Sequence, residues 1–319
     1  MIPAWHRLLG AALLLVSTLA HAQAYPSRTV KLIVPYGPGS SPDSVGRIVA
    51  REMQESLGQP VIVANVAGAL ANVGTAEVAR APADGYTILL TTNTPHAANV
   101  ALFRSLPFDP VKDFAPIVRL ITTSMVLLVR SDFPASSLQE FIAYAKTKPN
   151  GLNAGYGSAA TIVSIAKLRS AAGFRTLDVP YKGVPLAIID VLAGQVDFTL
   201  GDFAVSIPQI QGGKMKGLAV TSPQRTPLAP ELPAIAETFP GYETRIWYGL
   251  VAPANTPKEI VTKVHDVVTA SLGKPDVKSK LAGLGLEPAP LPPAEFAAFI
   301  KQEIAKWTRE IREAGIQPE

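Results

Sequence analysis

The sequence predicts an α/β protein of two lobes, each a mostly parallel sheet flanked by helices, with the chain crossing between the lobes twice. Three observations carry this. Strand-like and helix-like segments alternate along the 319-residue chain, punctuated by Gly or Pro, which is the pattern of βαβ units. Two apolar segments, Ile117 to Val129 and Ile246 to Ala252, read as strands passing between lobes. Finally, the chain is 48% hydrophobic and contains no Cys. A sizeable core rather than disulfides must hold it, and its length suits two domains.

Residues 1–22 read as a secretory signal peptide. Arg7 supplies the positive start, Leu8 to Leu19 is a short apolar stretch, and Ala20-His21-Ala22 gives a cleavage pattern. The stretch is too short to span a bilayer, and no later segment reaches the run of roughly 18 to 20 apolar residues that spanning needs. The mature chain is therefore expected to be exported and soluble. Losing Arg7 leaves 28 basic against 25 acidic residues, spread along the chain. No basic block points to nucleic acid or to an anionic membrane.

The strand Val30–Val34 leads through the loop Pro35-Tyr36-Gly37-Pro38-Gly39-Ser40-Ser41-Pro42-Asp43 into a helix from about Ser44 to Leu57. Val45, Ile48, Val49 and Met53 give that helix an apolar face. Ser41 suits its N-cap and Pro42 its first turn. Such a loop offers N–H groups to an anion at a positive helix end, or it is an ordinary strand-to-helix turn. There follow Val61–Val63, a helix from about Val73 to Arg80, and the strand Thr87–Thr91. Beyond the first crossing come helices at Leu138–Lys146, Ile162–Ala172, Leu186–Leu192 and Ala204–Gln211. Between them lie strands at Leu152–Gly155, Leu177–Val179, Val196–Leu200 and Gly217–Thr221. After the second crossing the chain is helical. Thr256-Pro257-Lys258-Glu259 reads as a capping box, and Pro275 and Pro293 open two further helices. Phe296, Phe299, Ile300, Ile304 and Trp307 form a core-facing stripe on the last.

Motifs for metals and nucleophiles are missing. His96 and His265, the two His of the mature chain, are isolated and lack ligand spacing. There is no G-x-S-x-G elbow, P-loop or dinucleotide fingerprint. What recurs is small polar loops after strands, where open α/β sheets bind ligands. These are Thr91-Thr92-Asn93-Thr94, Gly155 to Thr161, Tyr181-Lys182-Gly183 and Gly201-Asp202. Together they offer donors from both lobes and one carboxylate, Asp202, which suits a small acid such as an amino or hydroxy acid. Asp202 can equally be a helix cap.

At this point the residues resemble a known family, the Bug-type receptors of tripartite tricarboxylate transporters. The matching segments are Tyr25-Pro26-Ser27-Arg28, Val34-Pro35-Tyr36-Gly37-Pro38-Gly39, Leu57-Gly58-Gln59-Pro60-Val61 and Ala83-Asp84-Gly85-Tyr86-Thr87. Asp109 to Pro116, Val179-Pro180-Tyr181-Lys182-Gly183 and Gly194-Gln195-Val196-Asp197 continue the series in colinear order.

The resemblance implies a two-lobed, flytrap-like (type II) periplasmic binding protein. Residues 23–123 and 245–319 are expected to form lobe 1 and residues 124–244 lobe 2. It implies a monomeric receptor without enzymatic activity, cofactor or metal. A small carboxylate (dicarboxylate, acidic amino acid or aromatic acid) would bind in the interlobe cleft and pass to the membrane subunits of a tripartite tricarboxylate transporter. A ligand-presenting partner of a membrane signalling protein is the alternative, and a secreted enzyme using Asp202 as a base a more distant one. The expected ligand-binding residues are Tyr36, Gly39, Ser40, Ser41, Asn93, Thr94, Ser158, Ala160, Thr161, Tyr181 and Asp202. The chain departs from the family pattern where Ser40 and Ser41 stand for glycine, in the loop Ser158-Ala159-Ala160-Thr161, and at Ser164, which takes the place of a His. Methyl groups at Ala159 and Ala160 are expected to crowd that helix end.

Overall fold

The computed structural model describes residues 25–319, so the expected signal peptide lies outside the described residues. The chain opens with β1 (Val30–Val34), α1 (Ser41–Leu57), β2 (Val61–Asn65), α2 (Asn72–Ala79) and β3 (Thr87–Thr92). A π-turn at Thr94–Ala98 runs into one short helix, α3 (Asn99–Leu102), and then β4 (Phe114–Thr123). The middle of the chain supplies β5 (Met125–Arg130), α4 (Leu138–Lys146), β6 (Leu152–Tyr156), α5 (Ala159–Ala172) and β7 (Thr176–Pro180). It continues with α6 (Val184–Leu192), β8 (Phe198–Asp202), α7 (Phe203–Gln211) and β9 (Met215–Val220). The last part is β10 (Ile246–Pro253), α8 (Lys258–Gly273), α9 (Pro275–Gly283), β11 (Glu287–Leu291) and α10 (Pro293–Glu313).

Among the described residues the strands form two sheets, ordered β11-β4-β10-β3-β1-β2 and β7-β6-β8-β5-β9. Strand direction is shared within each sheet except for β10 and β11 in the first and β5 in the second. The apolar run Ile117 to Val129 is not one strand. Ser124 divides it into β4 of the first sheet and β5 of the second. Nor is Ile246 to Ala252 a crossing, because it lies wholly in β10 of the first sheet. The return crossing is the segment between β9 and β10. Thr221 ties the two crossings together: its hydroxyl accepts from the Met125 N–H at 2.9 Å and donates to the Thr244 carbonyl at 2.8 Å.

Apolar periodicity explains the packing on these sheets. Val45, Val49 and Met53 of α1 are buried, and Phe296, Ile300, Trp307 and Ile311 of α10 form its inward stripe. Glu303, also on that stripe, is buried and accepts the indole N–H groups of Trp247 and Trp307, each at 2.9 Å. A carboxylate is tolerated there because these donors replace its lost water. The capping box at Thr256 does not form. Its hydroxyl turns back to the Pro253 carbonyl, and α8 starts after Pro257 without a side-chain cap. Strand β11, Glu-Pro-Ala-Pro-Leu, escapes a periodicity reading because its prolines remove ladder donors. An edge position accommodates them.

Candidate ligand-binding cleft

Loops at strand ends meet between the two sheets and enclose a cavity of about 40 Å³. The first sheet's side contributes Tyr36, Ser40, Ser41 and Pro42 from the β1–α1 loop, Thr92, Asn93 and Thr94 after β3, and Ile246 and Tyr248 from β10. The second contributes Gly157, Ser158, Ala160 and Thr161 around the start of α5, Val184 and Pro185 of α6, Asp202 and Val205 at the β8–α7 junction, and Met125.

The first loop is built differently from the sequence expectation. Ser40, not Ser41, caps α1: its Oγ accepts from the Asp43 N–H at 3.4 Å and donates to the Gly37 carbonyl at 2.7 Å. Ser41 and Pro42 fill the first two helical positions. Gly39 adopts φ 78°, which suits glycine, and this turn sends its N–H back to Asp43 at 3.0 Å. Gly39 does not line the cavity. Asp43 also accepts from Asn65 Nδ2 at 2.9 Å and Arg47 Nε at 3.1 Å. Burial works to raise the Asp43 carboxyl, but these three donors outweigh it and hold the group below the usual carboxylate range. The positive end of α1 is therefore already met by its own first-turn acid, and the loop is not the open set of N–H donors expected.

Side chains take over the donor role on this side. Asn93 Nδ2 and Ser41 Oγ are buried and line the cavity; neither makes a hydrogen bond of ordinary length among the described residues, and Ser41 Oγ lies near enough to Asp202 and Tyr248 to favour their charged forms. Such groups cost about 1–3 kcal/mol each when left unsatisfied. The Tyr36 and Thr92 hydroxyls meet at 2.7 Å, and Thr92 Oγ1 accepts the Thr94 N–H at 3.1 Å, which fixes the wall around Asn93.

The second side keeps an open helix end. Ser158 caps α5 by accepting the Thr161 N–H at 3.2 Å, and Thr161 Oγ1 donates to the Leu200 carbonyl at 3.2 Å. The N–H groups of Ala159 and Ala160 have no internal acceptor, as the first turn of a helix dictates. The Ala160 methyl joins the cavity wall, while Ala159 is buried away from it. Ser164 is likewise buried on α5 away from the cavity. Gly157 is required: a Cβ there would lie 2.2–2.3 Å from the backbone of Gly183 and Val184. Only glycine lets this loop abut the start of α6.

Asp202 has both roles that the sequence left open. It caps α7 through the Val205 N–H at 3.4 Å, and it accepts the Tyr248 hydroxyl at 3.2 Å. Burial pushes its carboxyl up to about 6, against the pull of Tyr248, Val205, Ser41 and Ala204. Burial and the charge of Asp202 together keep Tyr248 a neutral donor. Because Tyr248 comes from the first sheet and Asp202 from the second, this bond bridges the cleft. Sequence reasoning missed Tyr248 because its strand read only as an apolar crossing.

Tyr181 lies outside the cavity. Its hydroxyl donates to Asp190 at 2.7 Å, and its ring faces a neighbouring outer chamber of about 350 Å³. Tyr36 and Gly157 belong to both spaces, and Leu70, Phe103, Tyr156 and Lys182 also line the outer one. One lip is Ala69-Leu70-Ala71, three successive non-glycine residues with φ of 45°, 49° and 72°. Left-handed backbone costs about 1–2 kcal/mol per such residue. Asn99 Nδ2 holds the turn by donating to the Leu70 carbonyl at 2.8 Å and to Asn72 Oδ1 at 2.7 Å.

His96 is far from ligand chemistry. It is buried edge-on to Phe114 with Nδ1 2.6 Å from the Thr91 hydroxyl, and burial pushes it down to about 3. Among the described residues no group of His, Cys, Asp and Glu is arranged to hold a metal ion.

Residues 45–316 match the tripartite tricarboxylate transporter family receptor. The chain belongs to this receptor family. BugT of Bordetella pertussis is 32% identical over 300 residues, covering 92% of this chain and 91% of BugT. An R. palustris protein solved with adipate superposes with a TM-score of 0.90 at 34% identity, covering 92% of this chain and all of that one. MatC of Rhodopseudomonas palustris with bound malate gives 0.84 at 31% identity, covering 90% and 100%. As a family receptor the chain is a two-lobed solute-binding protein of the periplasmic type, and its class is that of binding proteins rather than enzymes.

Proposed function

We propose that this receptor is exported to the periplasm, binds a small carboxylate between its lobes and delivers it to a tripartite tricarboxylate membrane transporter. The lobes would be residues 23–123 with 245–319, and residues 124–244. The observation that carries this reading is the pairing of unsatisfied donors across one cavity. Asn93 Nδ2 and Ser41 Oγ stand on one side and the N–H group of Ala160 on the other. Three donors converging on one small space suit a carboxylate, and the positive end of α5 favours its charge. The carboxylates named for the adipate- and malate-bound family structures support the same class. Tyr36, Ser40, Thr94, Ser158 and Thr161 would shape the walls. Asp202 would accept a hydrogen bond from a hydroxyl or ammonium group on the ligand.

The energetics are sufficient. A micromolar ligand needs about −8 kcal/mol, and charge-assisted hydrogen bonds contribute roughly 1.5–3 kcal/mol each. A panel of mono-, di- and aromatic carboxylates should include at least one that raises the melting temperature of the purified protein. Silence across the whole panel would defeat the reading.

A further inference from the structure

We propose that the outer chamber is a second ligand subsite, and that the preferred ligand is a monocarboxylate carrying an extended, ring-bearing apolar body. This rests on the carboxylate reading of the inner cavity. Three observations support it. The first is size. The inner cavity of about 40 Å³ has room for about three water-sized groups, at roughly 10–15 Å³ each. It can seat a carboxylate head and little else. The adjoining chamber of about 350 Å³ shares Tyr36 and Gly157 with it, so a chain leaving the head would enter the chamber beside these two residues.

The second observation is chemistry. Leu70, Phe103, Tyr156 and Tyr181 offer apolar and aromatic surface from both lobes, the lining that ring-bearing ligands use. The charged groups bordering the chamber, Lys182 and Glu319, are both exposed and opposite in sign, so the rim makes no net demand for a second anion. Inside, the cavity of about 40 Å³ has no space for a second carboxylate beside the first. The third observation is strain. Ala69-Leu70-Ala71 holds three left-handed residues at the lip, clasped by Asn99. Strained backbone of this kind persists where it shapes a clamp, and here it presents Leu70 to the chamber.

Calorimetric titration with propionate, 3-phenylpropionate, succinate and adipate tests this. The expected result is that 3-phenylpropionate binds at least tenfold more tightly than propionate, which is the same acid without the ring. Leu70→Ala with Phe103→Ala should abolish that tenfold gain and leave propionate affinity unchanged. Ala69→Phe, at an exposed position, should fill the chamber and have the same effect should the double variant fail to fold. Equal affinity for the two monocarboxylates, a ring-dependent gain that survives these variants, or binding confined to succinate or adipate would overturn the subsite while leaving the carboxylate reading standing. Absence of binding by all four acids would overturn both.

Discussion

The two jaws of the cleft share one construction, strand, small polar loop and helix start, yet they differ in electrostatics. At α1 the helix end is largely met from within: Ser40 takes one N–H, Pro42 has none, the Ser41 N–H alone lacks an acceptor, and Asp43 holds Gly39, Asn65 and Arg47. At α5 the cap Ser158 takes one N–H and leaves those of Ala159 and Ala160 without acceptors. Here the helix start whose first turn carries no acid is the one that keeps two open backbone donors. The difference assigns backbone donors to the second jaw and side-chain donors, Asn93 and Ser41, to the first.

The largest effect expected from this contrast is on stability. Asp43→Ala should destabilise the protein by about 2–4 kcal/mol, because it removes three hydrogen bonds to a buried carboxylate, from the Gly39 N–H, Asn65 Nδ2 and Arg47 Nε, and leaves Asn65 Nδ2 only its bond to the Tyr36 carbonyl. Ser158→Ala should cost only about 1 kcal/mol, the ordinary value of a cap. Urea denaturation of the two variants reads this directly, and equal losses would erase the asymmetry. Because the Asp43 carboxyl is held below its ordinary value, its contribution is present at neutral pH. It fades as pH falls below the ordinary carboxylate value toward its lowered one.

Asp202 behaves in the opposite sense. Its carboxyl moves from 3.8 up to about 6 on folding, so the folded state binds the extra proton and stability falls as pH rises between these values. Asp202→Asn retains a capping oxygen and removes the buried charge. It should therefore stabilise the fold at pH 7.5 by up to about 3 kcal/mol, with the gain vanishing by about pH 4. A pH-independent difference in melting temperature would contradict this account. The same variant should weaken acids bearing a hydroxyl or ammonium group more than those lacking one.

Smaller in stability but specific to the ligand, Asn93→Ala should lower carboxylate affinity roughly tenfold, or about 1.4 kcal/mol. Its melting temperature in buffer should stay unchanged or rise, since Asn93 Nδ2 lacks a partner. Loss of stability without loss of affinity would place Asn93 in the scaffold instead.

Much of this was legible in the sequence, and the omissions have physical causes. Alternating periodicity and Gly/Pro punctuation located most strands and helices. The loops after β1, β3, β6 and β8 supplied Tyr36, Ser40, Ser41, Asn93, Thr94, Ser158, Ala160, Thr161 and Asp202, all of which line the inner cavity. Gly39 and Tyr181 do not, because local pairing with Asp43 and Asp190 turns them elsewhere. Local sequence cannot show Tyr248 meeting Asp202, since that contact joins different sheets 46 positions apart. Nor can periodicity divide Ile117 to Val129 at Ser124, since two successive buried strands read as one apolar run. The three left-handed residues at 69–71 carry no glycine to announce them.

The central claim is that the two jaws hold an anionic carboxylate. The most direct measurement is calorimetric titration of the purified protein with a carboxylate that stabilises it, alongside the matching primary amide. Micromolar binding by the acid, with at least a hundredfold loss for the amide, is the predicted result. Equal binding of acid and amide would contradict the account.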